Sequence, residues 1–177
     1  MIYTPEHTCA FTGHRPEKLP WGYNEEDFRC LALKERMWKA VQELYDCGYR
    51  HFLCGMAQGC DLYFCETVIA LRCLAVGVTL EAVIPHAGQA ERWSADQRAR
   101  YERLLGMCDQ KRVLSPFYDR GCMQRRNRYM VDHASCLLSV YDGSGGGTGY
   151  TVGYALQKNI KVMHLDVLGD APQHYYF

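Results

Sequence analysis

The sequence lacks a net charge: among its 177 residues, 20 Lys and Arg balance 20 Asp and Glu. Without a basic excess there is no global field to concentrate nucleic acid, so we do not expect nucleic acid as a partner, and any phosphate site must be local. Apolar runs of the roughly 20 residues that cross a bilayer are absent, which excludes a membrane span. Low-complexity linkers and internal repeats are absent too.

No pair among the ten cysteines has Cys-x-x-Cys spacing, which argues against a structural zinc site and predicts no metal. We also expect no secretory signal. Six of the cysteines fall within predicted strands and helices: Cys9, Cys30, Cys54, Cys65, Cys73 and Cys136. Buried free thiols are typical of a reduced compartment rather than of a disulfide scaffold, so we predict a cytoplasmic protein.

Strand-like and helix-like segments alternate from one end of the chain to the other. The predicted strands are residues 8–12, 51–54, 78–84, 111–114, 136–140 and 161–165, each separated from the next by a helical pattern. This alternation predicts a Rossmann-like three-layer α/β sandwich with a mostly parallel sheet. We expect a single domain over residues 1–168, a peripheral tail over 169–177, and strand order 3-2-1-4-5-6.

A glycine-rich loop follows the fifth predicted strand and leads into a helix. Glycine lets backbone N–H groups approach a ligand, and a helix N-terminus adds free donors and the positive end of its dipole. This arrangement is typical of phosphate sites. The predicted ligand contacts of this segment are Gly145, Gly146, Gly147, Thr148 and Thr151. The alternative is a flexible surface turn.

Gly13, His14 and Arg15 leave the first predicted strand at the same edge, because parallel strands end side by side. Arg15 is suited to a bidentate contact with phosphate, and His14 to donation toward phosphate or ribose. The alternatives are a His14 that only fixes the loop and an Arg15 in a surface salt bridge.

A second tight loop lies between Gly55 and Gly59, and Asp61 stands at the start of the next helix. A carboxylate in that position holds ribose hydroxyls in dinucleotide folds. A charge that only stabilises the helix N-terminus is the alternative. All three loops are therefore predicted at one edge of the sheet.

Three arginines open the helix before the fifth strand. Arg125 and Arg128 share one face, whereas Arg126 points elsewhere together with Met130. At least one of these arginines is expected to face the ligand edge. We expect neither Arg15 nor Arg126 to have a role in the core, so alanine at either position should leave the melting temperature nearly unchanged.

On these motifs the chain resembles the YpsA-like group of the SLOG superfamily, whose relatives include the DNA-processing protein DprA and the LOG phosphoribohydrolases. The matching segments span nearly the whole chain and are residues 12–16, 55–61, 126–132 and 146–151. The resemblance implies a Rossmann-like fold that binds a nucleotide or a nucleotide-derived ligand.

The LOG signatures make the resemblance more specific. Their helix signature, Met-His-Glu-Arg-Lys-x-x-Met, is similar to residues 123–130, and this match implies that Arg126 contacts the ligand. Their second signature, Pro-Gly-Gly-x-Gly-Thr-x-x-Glu, keeps its glycines here but not its glutamate. Asp61, Asp132 or Asp142 would have to replace that carboxylate at a ribosyl centre, so the catalytic residues stay unassigned.

Three functions remain open on the sequence. The leading one is binding of a nucleotide or ADP-ribose-like ligand, for instance as a sensor, with Arg15 and Arg126 as counter-charges and no cofactor. The alternative is a LOG-type N-glycosidic hydrolase. Single-stranded DNA binding of the DprA type is disfavoured by the neutral charge and the lack of an aromatic-basic groove.

Aromatic residues left over from the predicted core suggest a homodimer. Trp21, Tyr23 and Phe28 follow the first loop, and Tyr175, Tyr176 and Phe177 end the sequence. A monomer seldom leaves a contiguous aromatic patch in water, and a self-complementary patch gives a two-fold dimer. The alternative is that these side chains fold back onto their own domain.

Overall fold

The computed structural model describes residues 4–169 and the backbone of residues 173–175. Seven strands form one sheet: β1 (Thr8–Gly13), β2 (His51–Cys54), β3 (Thr79–Ile84), β4 (Gln110–Val113), β5 (Cys136–Tyr141), β6 (Lys161–Asp166) and β7 (Gln173–Tyr175). Five helices connect them: α1 (Phe28–Asp46), α2 (Cys60–Arg72), α3 (Ala95–Gly106), α4 (Cys122–Asp132) and α5 (Gly147–Gln157). The alternation confirms the single-domain, Rossmann-like α/β fold.

The sheet has the order β4-β3-β2-β1-β5-β6-β7. Strands β1 to β6 are parallel, and β7 pairs antiparallel with β6 within the segment predicted as a peripheral tail. The predicted order 3-2-1-4-5-6 is wrong, because β4 pairs with β3 at the sheet edge and β5 pairs with β1. The residue composition of β4 and β5 explains why β4 lies at the edge and β5 in the middle of the sheet. The charged residues of β4 are exposed, as an edge allows, whereas nearly all of β5 is buried.

Helices cover both faces of the sheet. Helices α1, α2 and α3 pack on one face, and α4 and α5 pack on the other. The apolar stripe of α1 is buried at Met37, Val41 and Leu44. Tyr101 of α3 is buried, and the partly buried Trp93 ring packs edge-on against it at 5.2 Å.

The strand order reverses between β1 and β5, and this reversal determines where the unusual loops meet. The loop after β1 and the glycine loop after β5 are neighbours at the carboxyl edge. In doubly wound sheets, ligands bind in the crevice at such a reversal.

The remaining predictions concern side chains outside this edge. Five of the six cysteines assigned to strands and helices are buried free thiols, whereas Cys73 is exposed at the end of α2. Trp21 is buried in its own domain, while Tyr23 and Phe28 are exposed. Tyr175 contributes backbone to β7, and Tyr176 and Phe177 lie outside the described residues. None of the helices in the described part of the chain is long and apolar enough to cross a membrane.

Candidate functional site

Backbone and side-chain hydrogen bonds join the three predicted loops at one edge of the sheet. His14 N–H donates to the carbonyl of Val140 at 3.0 Å, and the carbonyl of His14 accepts from Cys60 N–H at 3.1 Å. His14 Nε2 lies 2.8 Å from Oδ1 of Asp142 in the glycine loop. The loop after β1 therefore contacts both the loop after β2 and the glycine loop, as predicted.

These loops and the first two turns of α4 enclose a cleft of about 380 Å³. Seven of the predicted ligand contacts line it: Gly13, His14, Arg15, Asp61, Arg126, Gly147 and Thr148. The other five do not: Gly55, Gly59, Gly145, Gly146 and Thr151. The cleft also has walls that the sequence analysis did not identify, namely Phe11, Thr12, Glu17, Lys18, Ala57, Met123, Asn127 and Met130.

The N-terminus of α5 opens onto this cleft. The helix begins at Gly147, and Gly146 before it has φ 135° and no side-chain cap. The first N–H groups of a helix have no intrahelical partner, so donors near Gly147 and Thr148 remain available. The Thr148 hydroxyl also has no hydrogen-bond partner among the described residues. Free donors and the positive end of a helix dipole are suited to an anion.

Two exposed cations, Arg15 and Lys18, line the mouth of the cleft. The Arg15 guanidinium makes no ion pair within residues 4–169, and its Nη2 lies 3.9 Å from the sulfur of Met123. The surface salt bridge considered for Arg15 is thus absent there. Lys18 donates to the Ser144 hydroxyl at 3.2 Å and to the carbonyl of Gly145. Sequence spacing did not reveal Lys18, because a short 3-10 turn over Pro16–Lys18 brings it back over the loop.

At the base of the cleft, Asp61 and Arg126 form a buried pair, 3.9 Å apart between Oδ2 and Nη1. Burial raises the pKa of Asp61, and Arg126 and the N–H of Ala57 only partly oppose this shift. Burial likewise lowers the pKa of Arg126 against the opposing charge of Asp61. Both shifts arise because removing each charge from water is costly. At 3.9 Å the attraction between the two charges offsets only part of that cost.

Arg126 also has a structural role, which contradicts the expectation that it has none. Its guanidinium donates to the carbonyl of Gly55 and, at 2.7 Å, to Oδ1 of Asn127. Gln89 Nε2 donates to the same Gly55 carbonyl at 3.1 Å. A Cβ at Gly55 would collide with the Arg126 guanidinium, so the glycine is needed to admit the arginine. Arg126 thus holds the loop after β2 while lining the cleft.

The loop after β2 carries unusual backbone geometry. Gly59 has φ 83°, and a Cβ there would lie 2.7 Å from the carbonyl oxygen of His14. Met56 has φ 57°, a left-handed conformation that a side chain adopts only at a cost. Gly55 and Gly59 therefore do not line the cleft themselves, but they set the conformation of the loop whose Ala57 does.

Thr151 does not reach the cleft. Its hydroxyl donates to the carbonyl of Gly147 at 2.7 Å and accepts from Asn127 Nδ2 at 2.8 Å, and the residue is fully buried. The bond from Asn127 ties α5 to α4, and the bond to Gly147 stays within the first turn of α5. Thr151 thus fixes the helix start that Gly147 and Thr148 present.

The candidate acids have different surroundings. Asp132 ends α4 and binds the Tyr154 hydroxyl and Lys158, so it lies outside the cleft. Asp142 accepts from Ser144 N–H and pairs with His14. The hydrogen bonds from Ser144 and His14 hold the pKa of Asp142 well below its usual range. Asp61 is the one of the three that lines the cleft. Because His14 is bound to Asp142, its contacts match the alternative in which it fixes the loop.

Within the described residues, no group of three His, Cys, Asp or Glu side chains could hold a metal ion.

The cleft combines a helix N-terminus and two exposed cations with a buried carboxylate. This arrangement suits a ligand that carries both a phosphate and hydroxyl groups.

The YspA SLOG family model matches residues 9–167 of the chain. The uncharacterized SPbeta prophage-derived protein YoqJ of Bacillus subtilis strain 168 is 32% identical over 139 residues, which cover 71% of this chain and 81% of YoqJ. A UPF0398 protein of Bacillus velezensis is 24% identical over 135 residues, covering 75% of this chain and 74% of that protein.

Two solved structures of DNA processing protein A share the fold. The one from Streptococcus pneumoniae has a TM-score of 0.59 at 17% identity, covering 94% of this chain and 54% of that one. The one from Helicobacter pylori, described for its single-stranded DNA binding mode, has a TM-score of 0.57 at 14% identity, covering 91% and 65%. The chain thus spans about half to two thirds of these proteins. Likeness at such identities shows the fold alone.

Proposed function

Because the chain belongs to the YspA SLOG family, we propose that its cleft binds a nucleotide or a nucleotide-derived ligand such as ADP-ribose. The observation that carries the proposal is the N-terminus of α5, which opens onto the same cleft as Arg15, a cation without an ion-pair partner among the described residues. Backbone donors, a helix dipole and a permanent positive charge converge there. An oxyanion such as phosphate satisfies all three.

The ribose of such a ligand finds a partner in Asp61. This carboxylate lines the cleft at its base, where Arg126 and the N–H of Ala57 orient it. A carboxylate oxygen accepts hydrogen bonds from a pair of ribose hydroxyls. The phosphate at α5 and the ribose at Asp61 together define the orientation of the ligand.

A thermal-shift experiment tests the proposal with inorganic phosphate, AMP and ADP-ribose as probes. A ligand at a hundred times its Kd stabilises a protein by about 2.7 kcal/mol, which raises the Tm of a domain this size by about 5–11 °C. We expect AMP and ADP-ribose to raise the Tm more than phosphate does. An unchanged Tm with every probe at millimolar concentration would contradict the proposal.

A second candidate function is hydrolysis of an N-glycosidic bond, and it rests on Asp61. A buried carboxylate with a raised pKa in a cleft is a candidate acid or base. In that reaction water adds to the ribosyl carbon, the bond to the base breaks, and the base leaves with a proton. Release of adenine from AMP, followed by chromatography, tests it, with Asp61→Asn as the inactive control.

Single-stranded DNA binding remains a third candidate. The fold likeness to the DNA processing protein A described for single-stranded DNA binding leaves our expectation against nucleic acid without support. The exposed cations Arg15 and Lys18 would contact a strand as readily as a nucleotide. A gel shift with a short oligothymidine at low and high salt tests this candidate, because phosphate contacts weaken steeply with salt.

The homodimer stays a prediction. Phe28 and Leu31, both exposed on the first turn of α1, are the apolar side chains that best suit an interface near the predicted patch. Light scattering at tens of micromolar, with and without AMP, measures the mass directly. A monomer under both conditions would contradict the dimer.

A further inference from the structure

The loop between β4 and α4 exposes two adjacent aromatic side chains. Phe117 is 78% exposed and Tyr118 is 65% exposed. Isolated exposed apolar residues are ordinary, but two neighbouring rings form a surface that commonly marks a binding site. Neither ring belongs to an amphipathic pattern, so the sequence alone does not indicate an aromatic surface here.

This loop is ordered by its own hydrogen bonds. The Ser115 hydroxyl donates to the carbonyl of Phe117 at 2.7 Å and accepts from its N–H at 3.3 Å. Asp119 accepts from Gly121 N–H at 2.8 Å and pairs with Arg125. The Tyr118 ring packs edge-on against His86 at 5.4 Å. The loop backbone and the Tyr118 ring are therefore held in place, which lowers the ordering cost for a ligand that stacks there.

The loop leads directly into the wall of the cleft. Gly121 precedes α4, whose residues Met123 and Arg126 line the cleft, and Met123 contacts Arg15 at its mouth. Inside the cleft no free phenyl, phenol or indole face is available among the described residues. Phe11 alone carries such a ring there, and it is fully buried and stacked on Phe64 at 4.3 Å. A base attached to a bound ribose phosphate thus has no stacking partner in the cleft itself.

We propose that Phe117 and Tyr118 form a stacking platform for the nucleobase of a mononucleotide whose phosphate binds at the N-terminus of α5. The inference rests on the proposed nucleotide function and adds how the base is recognised. Every base has a π-face, so stacking on these rings favours nucleotides over sugar phosphates without selecting one base strongly. Within the cleft, the charged side chains of Glu17 and Lys18 suit phosphate and hydroxyl groups instead.

Calorimetric titration with AMP and with ribose 5-phosphate tests the platform, because these probes share the phosphate and ribose and differ in the base. We expect the Phe117→Ala/Tyr118→Ala variant to bind AMP about 5- to 150-fold more weakly, with its affinity for ribose 5-phosphate unchanged. Phe28→Ala is the matched control, since Phe28 is also 78% exposed but lies at the start of α1, beside a separate groove lined by Val167 and Leu168. That control should bind both probes normally.

The other outcomes distinguish the stacking platform from the proposed phosphate site. If the double variant binds AMP as the unaltered protein does, the platform is refuted and the phosphate site stands. If the double variant loses ribose 5-phosphate as well, the loop supports the phosphate site and the platform is again refuted. If the unaltered protein binds neither probe, the proposed function fails and the platform fails with it. If the double variant loses oligothymidine binding but keeps AMP, the rings belong to a single-strand surface and the proposal is overturned.

Discussion

Replacing Arg126 with alanine should destabilise the protein itself, quite apart from ligand binding. The guanidinium is buried, donates to Gly55 and Asn127, and is the nearest positive charge to the buried Asp61. Removing one partner of a buried ion pair costs about 3–5 kcal/mol, because the other charge is left without compensation. For a domain of this size the loss corresponds to a Tm lower by about 6–20 °C.

The pH dependence of that loss identifies its cause. Because burial raises the native pKa of Asp61, this group binds its proton more tightly in the folded than in the unfolded state. Its charged form therefore costs stability as pH rises through the native pKa, and this cost disappears at lower pH. We expect the difference in unfolding free energy between Arg126→Ala and the unaltered protein to shrink as pH falls toward 4.

Urea denaturation at several pH values measures these differences. The double variant Arg126→Met/Asp61→Asn removes both charges and should recover much of the stability that Arg126→Ala loses. A Tm for Arg126→Ala within about 2 °C of the unaltered protein at pH 7.5 corresponds to a loss smaller than 3–5 kcal/mol. That result would show that the buried pair is not structural. Equal losses in Arg126→Ala and the double variant would show that lost packing, rather than charge, explains the effect.

Three further changes test single contacts. Arg15→Ala should weaken AMP binding by about 1.5–3 kcal/mol, the range for hydrogen bonds to charged groups, without lowering the Tm; Arg98→Ala, at another exposed arginine on α3, is the control, and equal affinities would contradict the prediction. Thr151→Val should lower the unfolding free energy by about 1–3 kcal/mol, since it leaves the buried Nδ2 of Asn127 without its acceptor; an unchanged urea midpoint would oppose this. Although burial raises it, hydrogen bonds from His51 and Arg112 bring the pKa of Glu81 below its ordinary value of 4.5. The stability from Glu81 is therefore complete above pH 4.5 and is lost as pH falls through the lowered native pKa, so the destabilisation by Glu81→Gln should be full at pH 7 and shrink on acidification, and parallel pH–stability curves would contradict it.

The fold class follows from local patterns, whereas the strand order depends on a comparison between strands. Alternating apolar segments and helical stripes predict the parallel sheet and its covered faces. The order requires deciding which strand tolerates an edge, and the charged Lys111 and Arg112 of β4 carry that information. Weighing them against the apolar Leu137 and Leu138 of β5 would have placed β4 at the edge.

The site shows a similar division. Motifs identify the loops that meet at the edge, since parallel strands bring their carboxyl ends together. Side-chain direction within a loop is not encoded in spacing, so Thr151 points into the α4–α5 contact and Gly55 lies behind Arg126. Lys18 reaches the site because of the short turn over Pro16–Lys18, and no residue pattern in the sequence predicts that turn specifically.

A crystal structure of the protein grown with saturating AMP tests the central claim most directly. The account predicts that phosphate oxygens accept hydrogen bonds from the backbone N–H groups of Gly147 and Thr148, with the guanidinium of Arg15 within ion-pair distance. It also predicts a ribose hydroxyl on Asp61. AMP bound at another surface, or no AMP in the cleft despite saturation, would contradict the claim that this cleft is a nucleotide site.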